Sequence, residues 1–93
     1  MVRPRKQRSI KFQPGVYFFK PRGVPLRNLD EVVLERDEVE ALKLHDFDNL
    51  DHSGAAKKMG VSQPTFGRIL DGTYKKVARA LVKGMAIKIQ KNL

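Results

Sequence analysis

Apolar positions along this chain follow two spacings, and the change between them marks the elements. From about residue 37 to residue 83 they recur every three or four positions, the interval that lays one apolar stripe along a helix; on either side they alternate with polar residues in short runs. Asp37, with Glu40 three residues on, predicts the start of a first helix as an aspartate form of the capping box, and the helix runs to about Asp46. Val39, Ala41, Leu42 and Leu44 supply its buried side; Glu38, Glu40, Lys43 and Asp46 supply its wet side. A short second helix, capped by Asp51, ends at Met59. A long third helix, about 63 to 83, carries Phe66, Ile69, Leu70, Thr73, Val77, Ala80 and Leu81 in one helical register that passes Gly72 without a change of phase. Glycine there costs roughly 1 kcal/mol relative to alanine, so a bend or fray at Gly72 is expected. Gly84 ends the helix.

Alternation governs the flanks. Ile10 and Phe12 alternate with Ser9 and Lys11, Val16 to Phe19 is a β-prone run, and Pro14-Gly15 turns between them. Pro21, Gly23 and Pro25 keep the chain irregular until Leu29, and Val32 to Leu34 form another short extended piece. Met85, Ile87 and Ile89 alternate with Ala86, Lys88 and Gln90, which predicts a terminal strand pairing with Ile10 to Phe12 or with another subunit. The chain divides into a basic arm and extended wrap over 1–35, a helical domain over 36–84 and a tail over 85–93.

Within the helical region, residues 52 to 71 place small, apolar and turn-permitting residues where a helix-turn-helix needs them. Ala55 and Ala56 let the second helix approach the third closely, and Met59 and Val61 bracket the turn with apolar groups. Gly60 occupies the helix end, where a positive φ is required. Ser62 reads as the next N-cap, and Pro64 lies in the first turn, where its missing N–H breaks no intrahelical bond. With Phe66, Ile69 and Leu70 inward, a rotation of about 100° per residue puts Gln63, Pro64, Gly67, Arg68 and Asp71 outward.

Charge turns that outward face into a candidate for duplex DNA. The formal net charge is +9, and it is unevenly spread: residues 1–27 hold eight basic and no acidic groups, 28–54 two basic and nine acidic, and 55–93 nine basic and one acidic. Such a polarised surface is the footprint of a polyanion binder. Arg68 suits guanine O6 and N7, and Gln63 suits adenine N6 and N7, each pair worth about 1–3 kcal/mol of discrimination. Gly67 lets backbone approach a base edge; Asp71 accepts from cytosine N4 or orients Arg68. Ser62 and Thr65 are placed to hold a phosphate with the free N–H groups of the helix start. Lys75, Lys76 and Arg79, farther along, are expected on the sugar–phosphate backbone, as are Lys57 and Lys58, while the bland alternative for each is a solvated face. Arg3, Arg5, Lys6 and Arg8 read as a mobile arm suited to an adjacent minor groove, with a plain disordered tail as the alternative.

Other chemistry is poorly supplied. The chain has no cysteine, which removes disulfides, thiolate nucleophiles and cysteine-ligated metals. His45 and His52 lack metalloprotease spacing, and no glycine-rich phosphate loop is present, so no catalytic site, metal or cofactor is expected. No apolar run approaches the roughly 20 residues of a membrane span, and no apolar region follows MVRPRKQR, which predicts a cytoplasmic product. A chain of 93 residues forms one small domain with a modest core, so pairing into a homodimer is expected.

With these residues in place, the chain resembles a prokaryotic family of uncharacterised, predicted DNA-binding proteins whose helix-turn-helix looks like region 4 of sigma factors. The resemblance is carried by RPRKQR at 3 to 8, Pro14, Phe19, Pro21, Gly23 and Pro25, LDEVVL at 29 to 34, DEVEALKLHD at 37 to 46, AAKKMGVSQPTFGRIL at 55 to 70 and VARALVKGMAIKI at 77 to 89. It implies a mainly α fold: a tri-helical core with a basic N-terminal arm and short β segments near both termini. Two departures stand out. Asp51-His52-Ser53-Gly54 replaces the usual Ser-Gln-Glu-Glu opening of the second helix, which predicts a frayed first turn unless packing or DNA fixes it, and Gly72-Thr73-Tyr74 stands where small and basic residues are usual.

Two rival readings accompany transcriptional regulation through duplex DNA. Tyr17, Phe18 and Phe19 beside Lys20 and Arg22 suggest a stacking platform for single-stranded nucleic acid or RNA, against the plainer reading of these rings as core or interface. The acidic first helix suggests a protein-interaction module, docking on RNA polymerase or on the basic arm of another copy.

Overall fold

The computed structural model describes residues 10–91. Three helices, α1 (Arg36–Leu42), α2 (His52–Met59) and α3 (Gln63–Lys83), pack with a three-stranded sheet of β1 (Phe18–Phe19), β2 (Glu31–Leu34) and β3 (Ala86–Ile89). The result is the expected mainly α fold, with a tri-helical core and short strands toward both ends.

One cluster organises the helices. Ala41, Leu44, Ala55, Ala56, Met59, Phe66 and Leu70 are buried together, with Leu50, Val61 and Ile69 packed against them. Two adjacent alanines on α2 leave room for the Phe66 ring, which is fully buried. A second cluster of Leu34, Val39 and Ile89, backed by Phe12, Tyr17, Val77 and Ile87, ties the sheet to the helices.

The strand order is β1-β3-β2. β3 pairs antiparallel with β1, Phe18 opposite Lys88, and parallel with β2, Val32 opposite Ile87. The terminal strand therefore forms, but its partners are Phe18–Phe19 and Glu31–Leu34, not Ile10 to Phe12 as alternation suggested. Ile10 to Phe12 is held differently, as a segment without strand pairing. The Phe12 N–H donates to the Glu40 carboxylate at 2.9 Å, and Arg36 Nη2 donates to the Phe12 carbonyl at 3.2 Å. Glu40, expected on the wet side, is thus buried, because a distant backbone N–H needs its charge.

α1 starts two residues earlier than its spacing predicted. Its N-cap is Glu35, whose N–H donates to Glu38 Oε1 at 2.8 Å, one half of a capping box. Beyond Leu42 the chain widens into a π turn, Lys43–Phe47, and reverses at Asn49, φ 64°. Asparagine tolerates this left-handed conformation better than most residues.

α3 is continuous through Gly72, spanning about 31 Å. Thr73 is fully buried and donates Oγ1 to the Ile69 carbonyl at 2.8 Å; a Cβ at Gly72 would meet only Glu38 Oε2, at 3.7 Å. The small residues let α3 lie against α1, and that packing offsets the low helix propensity. Leu81 is the exception in the predicted apolar stripe. It is 74% exposed, with that side of the last turn uncovered among the described residues.

Candidate nucleic-acid interface

The turn between α2 and α3 is built from local chemistry. The Asp51 carboxylate accepts from the Gly54 N–H at 2.7 Å. A Cβ at residue 54 would sit 3.1 Å from that same oxygen, so glycine lets the cap close, and α2 begins at His52 without fraying. At the other end Gly60 has φ 70°, its N–H donating to the Lys57 carbonyl and the Val61 N–H to the Ala56 carbonyl, both at 3.1 Å. This is a Schellman closure, which satisfies the last carbonyls of α2 and reverses the chain. Ser62 then caps α3: its Oγ accepts from the Thr65 N–H at 3.2 Å.

α3 presents the face its register predicted. Gln63, Pro64, Arg68 and Asp71 are exposed, Thr65 and Gly67 half-buried, while Phe66 and Leu70 point into the core. Nothing lies within 4 Å of where a Gly67 Cβ would stand, so the backbone of this turn is open to an approaching surface. Ser62 Oγ donates to Thr65 Oγ1 at 3.0 Å, and Arg68 Nη2 donates to the same oxygen at 3.2 Å. These contacts join Ser62, Thr65 and Arg68 into one polar edge at the start of α3, leaving most guanidinium N–H groups of Arg68 unused.

The other cations divide sharply. Lys75 pairs with Asp71 at 3.2 Å, both side chains well exposed, an arrangement of small energetic weight. Asp71 therefore leans toward Lys75 and does not orient Arg68. Lys76 is turned inward: its Nζ donates to Glu38 Oε1 and to the Val33 carbonyl, each at 2.8 Å. The sequence grouped Lys76 with the phosphate contacts, but its ammonium here joins α3, α1 and β2. Lys57 and Lys58 are exposed on α2. Arg3, Arg5, Lys6 and Arg8 lie outside the described residues.

Several groups were misjudged or missed from sequence. His45 Nδ1 lies 2.7 Å from the Leu50 carbonyl, so that nitrogen carries the proton and donates. The His45 ring meets His52 edge-on at 4.9 Å, and His52 meets Phe66 at 5.4 Å, a stack seated behind the start of α2. Tyr74 donates to Asp46 at 2.6 Å, and burial, then that bond and the aspartate charge, push its phenol up to about 12. Lys43, paired with Asp48 at 2.8 Å, is raised by that hydrogen bond. No local spacing announces these partnerships, which cross 5 to 28 positions of sequence. Of the proposed stacking rings, Tyr17 packs against the Leu34, Val39 and Ile89 cluster with Lys91 over its face, Phe18 is half-buried in β1, and Phe19 is 52% exposed. Two acids of the supposed docking helix serve the fold, Glu38 through Lys76 and Glu40 through Phe12, so charge reversal at these two positions would probe folding before docking.

Among the described residues no group of three or more potential ligands could hold a metal ion, and no helix is long and apolar enough to cross a membrane.

Comparison with known proteins extends over nearly the whole chain. Residues 1–92 match the model of a family described as "Protein of unknown function DUF134". A UPF0251 protein of Desulforudis audaxviator is 51% identical over 90 residues, covering 97% of this chain and 59% of that protein. One of Moorella thermoacetica is 51% identical over 90 residues, 97% of this chain and 60% of that protein. One of Desulfosudis oleivorans is 52% identical over 90 residues, 97% and 65% respectively. The chain thus spans about six-tenths of the length of these curated relatives. No solved structure matches it significantly.

Proposed function

The chain belongs to the family described as "Protein of unknown function DUF134", and for this member we propose sequence-specific binding of double-stranded DNA through α2 and α3, in the service of transcriptional regulation. The single observation that carries the reading is the outward face of α3. Gln63, Pro64 and Arg68 are exposed and Gly67 half-buried, on a helix start whose dipole favours anions. Arg68 and Gln63 would read bases; Ser62, Thr65 and Lys75 would hold phosphates; Asp71 would accept from cytosine or tune Lys75. The basic arm, Arg3 to Arg8, would follow the neighbouring minor groove. Likeness to region 4 of sigma factors is the finer form of this proposal, supported by the glycine-closed turn and the proline-started third helix.

Selection from a random duplex pool followed by salt titration tests the reading. A defined motif with a steep loss of affinity on adding salt is the expected outcome. A steep slope with no motif would make the protein architectural, and preference for single strands would favour the aromatic segment instead. Two copies on one DNA site would double the bases read. Leu81 and Val82, 74% and 84% exposed, are apolar surface available for such pairing, and sedimentation of the wild type against Leu81→Lys decides it. A monomeric wild type removes the dimer.

A further inference from the structure

We propose that the groove between the outer edge of β2 and the C-terminal half of α3 binds a small zwitterion of the α-amino-acid class. The groove has a volume of about 370 Å³, within the range of small-molecule sites. Val33 and Met85 contribute apolar surface beside the buried Val32, and Lys75, Lys76 and Arg79 approach from α3, with Glu31 on the strand side.

Three cations would suggest a simple anion site, but their existing partners change the balance. Lys76 is committed to Glu38 and the Val33 carbonyl, and Lys75 is paired with Asp71. Arg79 and Glu31 make no ion pair or side-chain hydrogen bond among the described residues, although both line the same groove. What remains uncommitted is one guanidinium and one carboxylate beside an apolar wall. A ligand carboxylate takes the guanidinium in a fork geometry, a ligand ammonium takes Glu31, and an apolar side chain covers Val33 and Met85.

Addition of a peptide strand is disfavoured by the same geometry. Asp30 and Leu34 give their carbonyls to β3, so by alternation the Val33 carbonyl faces outward, where Lys76 occupies it. A lysine on an edge carbonyl blunts that edge against strand pairing. A nucleic-acid phosphate is disfavoured by the Glu31 carboxylate.

Protein-detected NMR titration tests the assignment independently of DNA binding. The probes are L-leucine, L-methionine and L-valine, with acetate, propylamine and inorganic phosphate as ligands of one charge sign. Saturable shifts are expected at Val33, Arg79 and Met85 with at least one amino acid and not with the single-sign probes. Arg79→Gln and Glu31→Gln should each weaken that binding roughly tenfold or more, about 1.4 kcal/mol, with the rest of the spectrum unchanged. The assignment fails if no amino acid gives saturable shifts, if acetate or phosphate binds as tightly, or if folded variants bind as the wild type does.

Discussion

The two halves of α3 differ in charge, with Arg68 and Asp71 balancing in the first and Lys75, Lys76, Arg79 and Lys83 crowding the second, and they place their cations differently. In the first half, Arg68 donates to Thr65, one turn back on its own helix, and stands exposed beside an open glycine. In the second half, Lys76 bridges to α1 and β2, and Thr73 and Val77 pack toward the fold. A cation belongs to the fold when a nonlocal carboxylate and carbonyl wait for it; it is available to a partner when its contacts are local. The net charge of the chain hides this distinction, and the partners of each cation reveal it: Lys75, in the second half, has only a local pair with Asp71 among the described residues, while its neighbour Lys76 is tied to α1 and β2.

Substitutions can break or sharpen the contrast. Phe66→Ala should do most harm to both halves at once, costing about 3–5 kcal/mol in denaturant unfolding, because α2 and α3 share that ring. Lys76→Ala should cost about 1–3 kcal/mol, since it takes the ammonium from the Val33 carbonyl and from Glu38, which keeps the Glu35 N–H, while sequence preference for a selected duplex persists. If Lys76→Ala leaves stability intact, the assignment of this lysine to the fold is wrong. Ser62→Ala, at the start of α3, should cost about 1 kcal/mol through loss of the cap. Lys75→Ala should change stability by no more than about 0.5 kcal/mol and lower the salt slope of DNA binding by about 1.

A separate effect concerns Tyr74 and lies in alkaline solution. Its neutral hydroxyl donates to Asp46 and its phenol titrates near 12 in the folded chain, above the ordinary value of about 10. Stability from this pair is therefore fully present below the unfolded value and lost as pH rises through the folded one. An absorbance titration should show a step near 12 that Tyr74→Phe removes; a wild type without that step contradicts the contact.

Local chemistry made the helix-turn-helix legible. Gly60, Ser62 and Pro64 act within a few residues of themselves, so their spacing specifies the turn and the outward face of α3 together. Where partners are distant, sequence spoke less clearly. Both Glu35 with Glu38 and Asp37 with Glu40 have capping-box spacing, and the choice between them is supported by Lys76 on Glu38 and by Phe12 on Glu40. Alternation likewise predicted a terminal strand without naming its neighbours, because a period of two fixes a face and not a partner. The groove around Arg79 was invisible for the same reason: it exists only where β2 meets α3.

The most direct measurement compares the wild type with the double variant Gln63→Ala, Arg68→Ala on a duplex selected by the wild type, at fixed salt, after circular dichroism and thermal unfolding establish that the variant is folded. The account predicts that discrimination between the selected duplex and a scrambled one falls by about 2–6 kcal/mol, while nonspecific affinity changes far less. Unaltered discrimination in the folded double variant would contradict it.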